Sequence, residues 1–305
     1  MAAVVDCFPG ESSRVSHIFL REICKRFPAR KQEEAAQPAP PVPQPEQKSA
    51  AASAAAPGTC LSPSQILTYR DCAARWWYKH GLNLPDRPNA NLTLGRAVHE
   101  AIAVNFRQKI HTRVDLPVAR ILEAFDAAFT REAAATVFHP KEQPAEIAAA
   151  GRQLVALYLR QAAPKIQPAA VELPVSGRIA GVAVSGVLDL VEEDGTIVDL
   201  KTAKTSPNGL NADHAFQLAT YATLRQARQV RIDTLVKTKS PRLVQMTRTL
   251  TAAHLDEPRK LFPMIQEAIE QGLYVPNRKS MLCSRRNCPF AAVCEKEFGG
   301  QVKEK

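Results

Sequence analysis

Apolar and polar positions divide the chain into a helical first part and a strand-rich second part. Between residues 62 and 162 the apolar residues recur at helical spacing. Ser62 is suited to cap the first helix, and Pro63 fits the first helical position. The pattern predicts four helices, over 62–80, 95–110, 117–136 and 144–162.

From residue 171 onward, β-branched residues alternate with polar ones, which is typical of strands. The predicted strands cover 171–179, 182–191, 196–202, 231–238 and 243–250. Helices are predicted over 212–228 and 252–272, and a cysteine-bearing tail follows them. The order of elements predicts an α/β protein in which a sheet is flanked by helices.

The first 58 residues have a different character. Apolar residues between Val15 and Phe27 fall at helical spacing, so residues 1–30 are predicted to contain a short helix. Residues 31–58 are rich in Pro and Ala, which is typical of a linker. Two interpretations stay open: the helix packs on its own domain or frays, or residues 12–28 recruit a partner protein.

The composition is that of an ordinary globular protein, with 45% hydrophobic and 23% charged residues among 305. There is neither an apolar run of about 20 residues nor a secretory signal core, so we expect a cytoplasmic protein without a membrane partner. The formal net charge of +10 favours a polyanionic partner such as nucleic acid.

Acidic residues are predicted to meet in the hairpin formed by the second and third strands. Asp199 and Lys201 are two apart and project from one face of a strand. A five-residue loop would pair Val191 with Ile197 and set Asp189 opposite Asp199. Opposed carboxylates, about 4.5–5.5 Å apart at Cβ, repel each other unless a cation lies between them. The hairpin therefore predicts a divalent metal site, Mg²⁺ or Mn²⁺.

A second interpretation of the same hairpin is an exposed edge whose charged side chains are merely solvated. Against it, Val187, Leu188, Leu190, Val198 and Leu200 place the strands in the sheet interior. Two carboxylates with a metal and a lysine are the groups that phosphodiester hydrolysis needs. Taken alone, the hairpin leaves both interpretations open.

The segment GVLDLVEEDGTIVDLKTAK resembles the core of the PD-(D/E)XK nuclease superfamily, in its RecB-like exonuclease branch. The resemblance implies a restriction-endonuclease-like core with a central mixed sheet, an N-terminal helical region and a C-terminal cysteine cluster. It also implies that Asp189 and Asp199 bind Mg²⁺ or Mn²⁺ and that Lys201 assists the attacking water. Asp199 stands where many members have Glu, which keeps the chemistry. Glu172 is a weaker acidic candidate.

Two further motifs of the same branch occur in the right order. LTLGRAVHEAI resembles its G-x-x-x-H helix, with Gly95 and His99, and the resemblance makes His99 a metal ligand. FQLATY resembles its Q-x-x-x-Y signature. Gln217 and Tyr221 would lie on one helical face and point to the substrate or to the lysine. Without the resemblance, His99 would be a core or surface histidine, and Gln217 and Tyr221 would be ordinary residues of an amphipathic helix.

Seven cysteines, an odd number, speak against a disulfide framework. One cysteine before the core and three after it resemble the layout of iron–sulfur nucleases of this branch, such as AddB-like and CRISPR-associated spacer-processing nucleases. The four are Cys72, Cys283, Cys288 and Cys294. The resemblance implies a structural [4Fe–4S] cluster, and tetrahedral zinc is the alternative. The remaining cysteines, Cys7, Cys24 and Cys60, are predicted to be free.

The resemblance covers about residues 60–297 and predicts a nuclease domain over 59–298, with a tail over 299–305. It implies a metal-dependent deoxyribonuclease, an exonuclease on single-stranded DNA ends in recombination, phage replication or CRISPR-type DNA processing. The alternative is a non-catalytic DNA-binding or assembly module that recruits a helicase or recombinase. Little sequence specificity is expected.

Basic residues of the last strand pair and of the cysteine region are candidate phosphate contacts, with a solvated basic surface as the alternative. They are Arg231, Lys237, Lys239, Arg242, Arg248, Arg278, Lys279, Arg285 and Arg286. The aromatic run Trp76, Trp77 and Tyr78 is suited to base stacking, but packing under the cysteine cluster is the favoured interpretation.

Overall fold

The computed structural model describes residues 60–304. The predictions for residues 1–30 and 31–58, and for a partner-binding segment over 12–28, lie outside the described residues. The helices are α1 (Pro63–Asp71), α2 (Ala73–Trp76), α3 (Ala90–Thr112), α4 (Val118–Ala133), α5 (Pro144–Gln161), α6 (Ala212–Arg225), α7 (Ala252–Glu270) and α8 (Ala291–Phe298). The strands are β1 (Pro168–Ile179), β2 (Val182–Glu192), β3 (Ile197–Ala203), β4 (Gln229–Val236) and β5 (Arg242–Thr249).

The first predicted helix begins as expected but does not continue to residue 80. The hydroxyl of Ser62 accepts a hydrogen bond from the backbone N–H of Gln65, with Pro63 in the first turn. The helix ends at Asp71, because Cys72 adopts an extended backbone with φ −159°. Helix α2 and a π-helical turn over Trp77–Gly81 follow. The prediction of a single helix over 62–80 was therefore wrong. The break at Cys72 places its thiol against the C-terminal segment, at Asn277.

In the described part of the chain, the strands form one mixed five-stranded sheet in the order β1-β2-β3-β4-β5. Neighbours are antiparallel except β3 and β4, which are parallel and joined by α6. Helices α3, α4 and α5 cover one face of the sheet, where Leu190, Val198 and Leu200 join their core. Helix α6 covers the other face through Leu218 and Tyr221. The expected α/β fold, with a mixed sheet flanked by helices, is confirmed.

The sheet is irregular where the acidic hairpin begins. Val191 pairs with Ile197, as the sequence predicts, but the β2–β3 ladder has only the further pair Leu190–Val198 in the described structure, so Asp189 and Asp199 are not a backbone pair. On its other side, β2 pairs with β1 above and below Glu172, whose φ of +46° breaks the extended backbone. A non-glycine residue in this left-handed region is uncommon and kinks the strand.

The C-terminal region is more ordered than the sequence indicates. Helix α8 lies in a segment predicted only as a cysteine-bearing tail. Beyond it, Val302 is buried, and Lys303 forms a β-bridge with Ser284, so these residues fold back on the cysteine loop. Across residues 60–304, no helix is both long and apolar enough to cross a bilayer.

Candidate functional site

Four side chains from three elements meet at the start of the acidic hairpin. On α3, His99 Nδ1 lies 3.5 Å from Oδ1 of Asp189 on β2. The other oxygen of Asp189 accepts a hydrogen bond from the backbone N–H of Leu200 at 2.8 Å. On β3, Lys201 Nζ donates to Oδ1 of Asp199 at 2.9 Å. The β2–β3 ladder ends at Leu190–Val198, and beyond it the Asp189 side chain accepts the N–H of Leu200.

The cluster ranges from a buried to a partly exposed side chain, and His99 and Asp189 line a cavity beside it. The side chain of Asp199 is 5% exposed, while those of Lys201, Asp189 and His99 are 25%, 27% and 28% exposed. Oδ2 of Asp199 lies 2.8 Å from Nζ of Lys201, yet it accepts no well-aligned hydrogen bond. The Lys201 ammonium therefore neutralises the buried carboxylate and leaves one of its oxygens without a directional partner.

Burial and the charges within the cluster raise the pKa values of three of its side chains and lower that of the fourth. Burial raises the pKa of Asp199, and the neighbouring Asp189 charge adds to this against the effect of Lys201. Burial acts to lower the pKa of Lys201 and of His99, but the carboxylates outweigh it and both values are raised. The pKa of Asp189 is lowered, because His99 outweighs burial. Lys201 is thus held as a cation at neutral pH.

One face of α6 looks toward the same cluster. His214, Gln217 and Tyr221 lie at positions i, i+3 and i+7, and Gln217 Nε2 lies 3.5 Å from the Tyr221 hydroxyl. Burial, then the charge of Lys201, lowers the pKa of His214 to about 4, so His214 is neutral at pH 7. The sequence-based site did not include His214, although its helical spacing from Gln217 and Tyr221 would have suggested it.

Gly186 is a second residue that sequence reasoning missed. A Cβ at this position would lie 2.5 Å from Cε1 and 3.0 Å from the hydroxyl oxygen of Tyr221. The ring of Tyr221, which is 6% exposed, therefore packs directly on the β2 backbone. No motif marks Gly186, because the contact joins a strand to a helix that follows it by more than 20 residues.

The cluster has the donor groups of a divalent cation site, although they do not yet surround a metal position. Among residues 60–304, no three His, Cys, Asp or Glu side chains are already arranged to coordinate a metal ion. The donor set of two carboxylates and an imidazole is nevertheless suited to Mg²⁺ or Mn²⁺. Asp199 contributes a buried oxygen that lacks a hydrogen bond. The residues fit a divalent cation that would take over the charge that Lys201 now balances.

The four cysteines of the predicted cluster line one cavity, between α1, α2 and the C-terminal region. These are Cys72, Cys283, Cys288 and Cys294. All four are free thiols, and the backbone N–H of Asn277 points to Cys72 Sγ at 3.4 Å. Burial raises the pKa of Cys288 and Cys294. Cys60 lies elsewhere, exposed and beside Ser185.

Two arginines line the same cavity. Nε of Arg75 and one terminal nitrogen of Arg278 are buried and have no hydrogen-bond partner. Buried guanidinium nitrogens without partners suit a negatively charged group. Four thiolates around a metal or an iron–sulfur cluster form such a group, so the donor set and its surroundings fit a four-cysteine centre.

A profile of the PD-(D/E)XK nuclease superfamily matches residues 60–295, more than half of the chain. The chain belongs to the PD-(D/E)XK nuclease superfamily. Membership implies phosphodiesterase activity, and nucleases of this superfamily generally use divalent metals such as Mg²⁺. The restriction-endonuclease-like fold expected from the sequence is thereby confirmed.

A solved structure supports this fold. A candidate exonuclease from Eubacterium rectale is 15% identical over 78% of this chain and 91% of its own, with a TM-score of 0.53. The structure of SSO0001 is 13% identical over 77% of this chain and 96% of its own, but its TM-score of 0.33 carries no argument. No curated protein matches the chain significantly.

Several basic residues expected to contact DNA in this PD-(D/E)XK nuclease are used within the protein. Arg231 is paired with buried Asp233 and with Glu192, so its prediction as a phosphate contact was wrong. The reason is that β4 lies inside the sheet. Arg278 donates to the carbonyl of Gly299, and Arg285 pairs with two glutamates of the C-terminal region, Glu295 and Glu304.

The structure also shows the contacts of the predicted aromatic residues and of Glu172. Tyr78 is 1% exposed, packs with Cys294 as expected, and donates to Glu297. Trp76 is equally buried, but it packs in a different core cluster with Leu61 and Ile66. Trp77 stacks on Tyr274 with a centroid distance of 4.5 Å. Glu172 lines a cavity with His99 and Asp189, but its carboxylate is paired with Arg107.

Proposed function

We propose that this PD-(D/E)XK nuclease is a Mg²⁺- or Mn²⁺-dependent deoxyribonuclease of the RecB-like branch, an exonuclease acting on single-stranded DNA ends. The observation that carries the proposal is the convergence of His99, Asp189, Asp199 and Lys201 in one cluster. A supporting observation is the net charge of +10, which favours a polyanionic substrate. Recombination, phage replication and CRISPR-type processing are the processes that the motifs suggest.

In this proposal Asp189, Asp199 and His99 hold the metal, which supplies charge neutralisation at the scissile phosphate and a more acidic attacking water. Asp199 contributes the buried oxygen without a hydrogen bond, and Asp189 is held in place by the N–H of Leu200. Because Asp189 and Asp199 lie on the neighbouring strands β2 and β3, both carboxylates can bind the same cation.

Lys201 acts as a cation toward the reacting phosphate. Its pKa is raised by Asp199 and Asp189 against the effect of burial, so it is poorly suited to accept a proton at neutral pH. A fixed ammonium beside the carboxylates is suited to orient the attacking water and to offset the charge that develops on the phosphate. A metal bound by Asp199 would leave the Lys201 ammonium free for this role.

Gln217 and Tyr221 position the substrate or the lysine. Tyr221 packs on Gly186, and its hydroxyl is within 3.5 Å of Gln217, which supports a fixed orientation for both. Burial raises the pKa of Tyr221, so its hydroxyl keeps its proton at neutral pH. Tyr221 is therefore available as a hydrogen-bond donor near Lys201.

We also propose a [4Fe–4S] cluster, with zinc as the alternative, bound by Cys72, Cys283, Cys288 and Cys294. The common cavity of these thiols and its two unpartnered arginine nitrogens support this assignment. The centre would tie the start of the domain to its end, across a loop of more than 200 residues. Its role would be structural.

The experiment that tests the function uses DNA labelled at the 5′ or 3′ end. Single- and double-stranded substrates are incubated with the purified full chain and Mg²⁺, Mn²⁺ or chelator. We expect stepwise release of nucleotides from single-stranded ends, dependent on the metal. Binding without cleavage under all conditions would refute the nuclease proposal in favour of a DNA-binding module. Cleavage of closed circular DNA would refute the exonuclease assignment.

A further inference from the structure

Two consecutive glycines turn the chain back at the end of α8. Gly299 and Gly300 have φ angles of 67° and 69°, in the left-handed region that glycine adopts readily. The N–H of Gly299 donates to the carbonyl of Glu295, which completes the last turn of the helix. Residues 300–304 therefore do not continue α8, and they run back to the cysteine-bearing loop.

The returning segment is attached to the loop over residues 283–288. The N–H of Arg285 donates to the carbonyl of Lys303 at 2.7 Å, and Ser284 forms a parallel β-bridge with Lys303. The Arg285 guanidinium also pairs with Glu304 at 3.0 Å. Since the Glu304 side chain is exposed, this ion pair contributes little, and the backbone hydrogen bond is the firmer attachment.

Helix α8 holds the same segment through one carboxylate. Oε1 of Glu295 accepts a hydrogen bond from the N–H of Val302 at 2.6 Å. Oε2 of Glu295 accepts one from the Arg285 guanidinium, also at 2.6 Å. The Glu295 side chain is 16% exposed, so both charge-assisted bonds are partly shielded from water. Glu295 thus joins the helix, the loop and the returning segment.

The returning segment forms one wall of the cysteine cavity. Val302 is 5% exposed and lines the cavity together with the four cysteines. Arg278 lines it too: Nη1 is buried without a hydrogen-bond partner, and Nη2 donates to the carbonyl of Gly299 at 2.9 Å. Within residues 299–304, Val302 is the only buried side chain, so this wall can open locally without unfolding of the domain.

We propose that residues 299–304 form a strap that closes the cysteine cavity and sets how fast its metal or cluster is lost. The inference rests on the proposed four-cysteine centre, because it assumes that the cavity holds one. While the strap is shut, Val302 keeps water and chelators away from the thiolate ligands. When the strap opens, the centre is exposed to attack although the rest of the domain stays folded.

The test measures metal retention by the full chain, purified without oxygen, during incubation with excess EDTA. Samples are desalted at intervals and their iron and zinc are measured by elemental analysis, with circular dichroism as the check of folding. The variant is Val302→Ala. The matched control is Val275→Ala, a valine of the same region that is 70% exposed and does not line the cavity.

We expect Val302→Ala to lose metal about tenfold faster than the wild type, and Val275→Ala to match the wild type. The variant removes two buried methyl groups from the shut strap, and tenfold corresponds to about 1.4 kcal/mol. Equal release by Val302→Ala and Val275→Ala would overturn the strap. Deletion of residues 300–305 should speed release further, and a wild-type rate in a folded deletion variant would also overturn it.

A second control separates opening of the strap from loss of overall stability. Val230→Ala truncates a buried valine on β4, in a different core cluster from the cysteines. It weakens the fold without touching the strap, so we expect it to keep the wild-type rate of metal release. If Val230→Ala released metal as fast as Val302→Ala, release would go through unfolding of the domain, which would contradict a local strap.

Alkylation of the metal-free protein separates this inference from the proposed centre. Cys294 is 7% exposed and lines the cavity, so its reaction with iodoacetamide, mapped by mass spectrometry, reports opening of the strap without any metal. We expect faster alkylation of Cys294 in Val302→Ala than in Val275→Ala, and equal rates would overturn the strap. If the wild type carried neither iron nor zinc but showed this difference, the proposed centre would fail while the closing role of the strap stood.

Discussion

Replacing Gly186 with Ala tests whether the sheet fixes the position of Tyr221. The added Cβ would lie 2.5 Å from Cε1 of the ring, closer than carbon atoms approach in folded proteins. Tyr221 is 6% exposed, so its ring has no free space to move into. Overpacking of this kind costs about 1–3 kcal/mol. Ala gains about 0.4–1 kcal/mol over Gly through the unfolded chain, so the centres of the two ranges leave a net loss of about 1.3 kcal/mol.

The assay is urea denaturation of Gly186→Ala, with cleavage measured on the folded variant. We expect the loss of stability to be accompanied by a loss of activity, because the displaced ring carries its hydroxyl away from Gln217. Gly209→Ala is the matched control, since nothing lies within 4 Å of its added Cβ. Combining Gly186→Ala with Tyr221→Leu should remove most of the clash. A Gly186→Ala variant as stable and as active as Gly209→Ala would refute the reasoning.

Three further outcomes are expected. Tyr158→Phe should destabilise the fold by about 1.5–3 kcal/mol in urea denaturation, because the Tyr158 hydroxyl donates to fully buried Asp233 at 2.9 Å; an unchanged midpoint would argue against this bond. Cys294→Ser should lower the iron or zinc content measured by elemental analysis, whereas Cys60→Ser should retain it; equal contents would exclude the proposed centre. His99→Ala should raise the Mn²⁺ concentration for half-maximal cleavage at least about tenfold; an unshifted metal titration would remove His99 from the site.

Local chemistry made parts of the fold predictable from sequence. Ser62 and Pro63 marked the start of α1, because capping depends on residues adjacent in the chain. The turn after Val191 set its register with Ile197 for the same reason. The motif residues Asp189, Asp199 and Lys201 could be grouped from sequence because they lie on consecutive strands, which a hairpin brings together.

Features that depend on distant partners were not predictable. The break at Cys72 follows from contacts to Asn277, about 200 residues further along. Arg231 resembled a DNA contact, and only the folded sheet shows that buried Asp233 pairs with it. The sequence did not mark Gly186, because the reason that a side chain does not fit there is the Tyr221 ring, which lies on another element. In each case the deciding atom lies on another element.

The central claim is that Lys201 and the carboxylates beside it form a phosphodiesterase site. Its most direct test is cleavage of end-labelled single-stranded DNA by purified Lys201→Ala, with Lys165→Ala as the charge-matched control and circular dichroism and metal content as checks of folding. Loss of a preorganised charge at a reacting centre typically costs about 10²–10³ in rate. We expect Lys201→Ala to lose at least that much activity, while its fold and the iron or zinc content of its cysteine centre stay unchanged. Undiminished cleavage by Lys201→Ala would contradict the assignment.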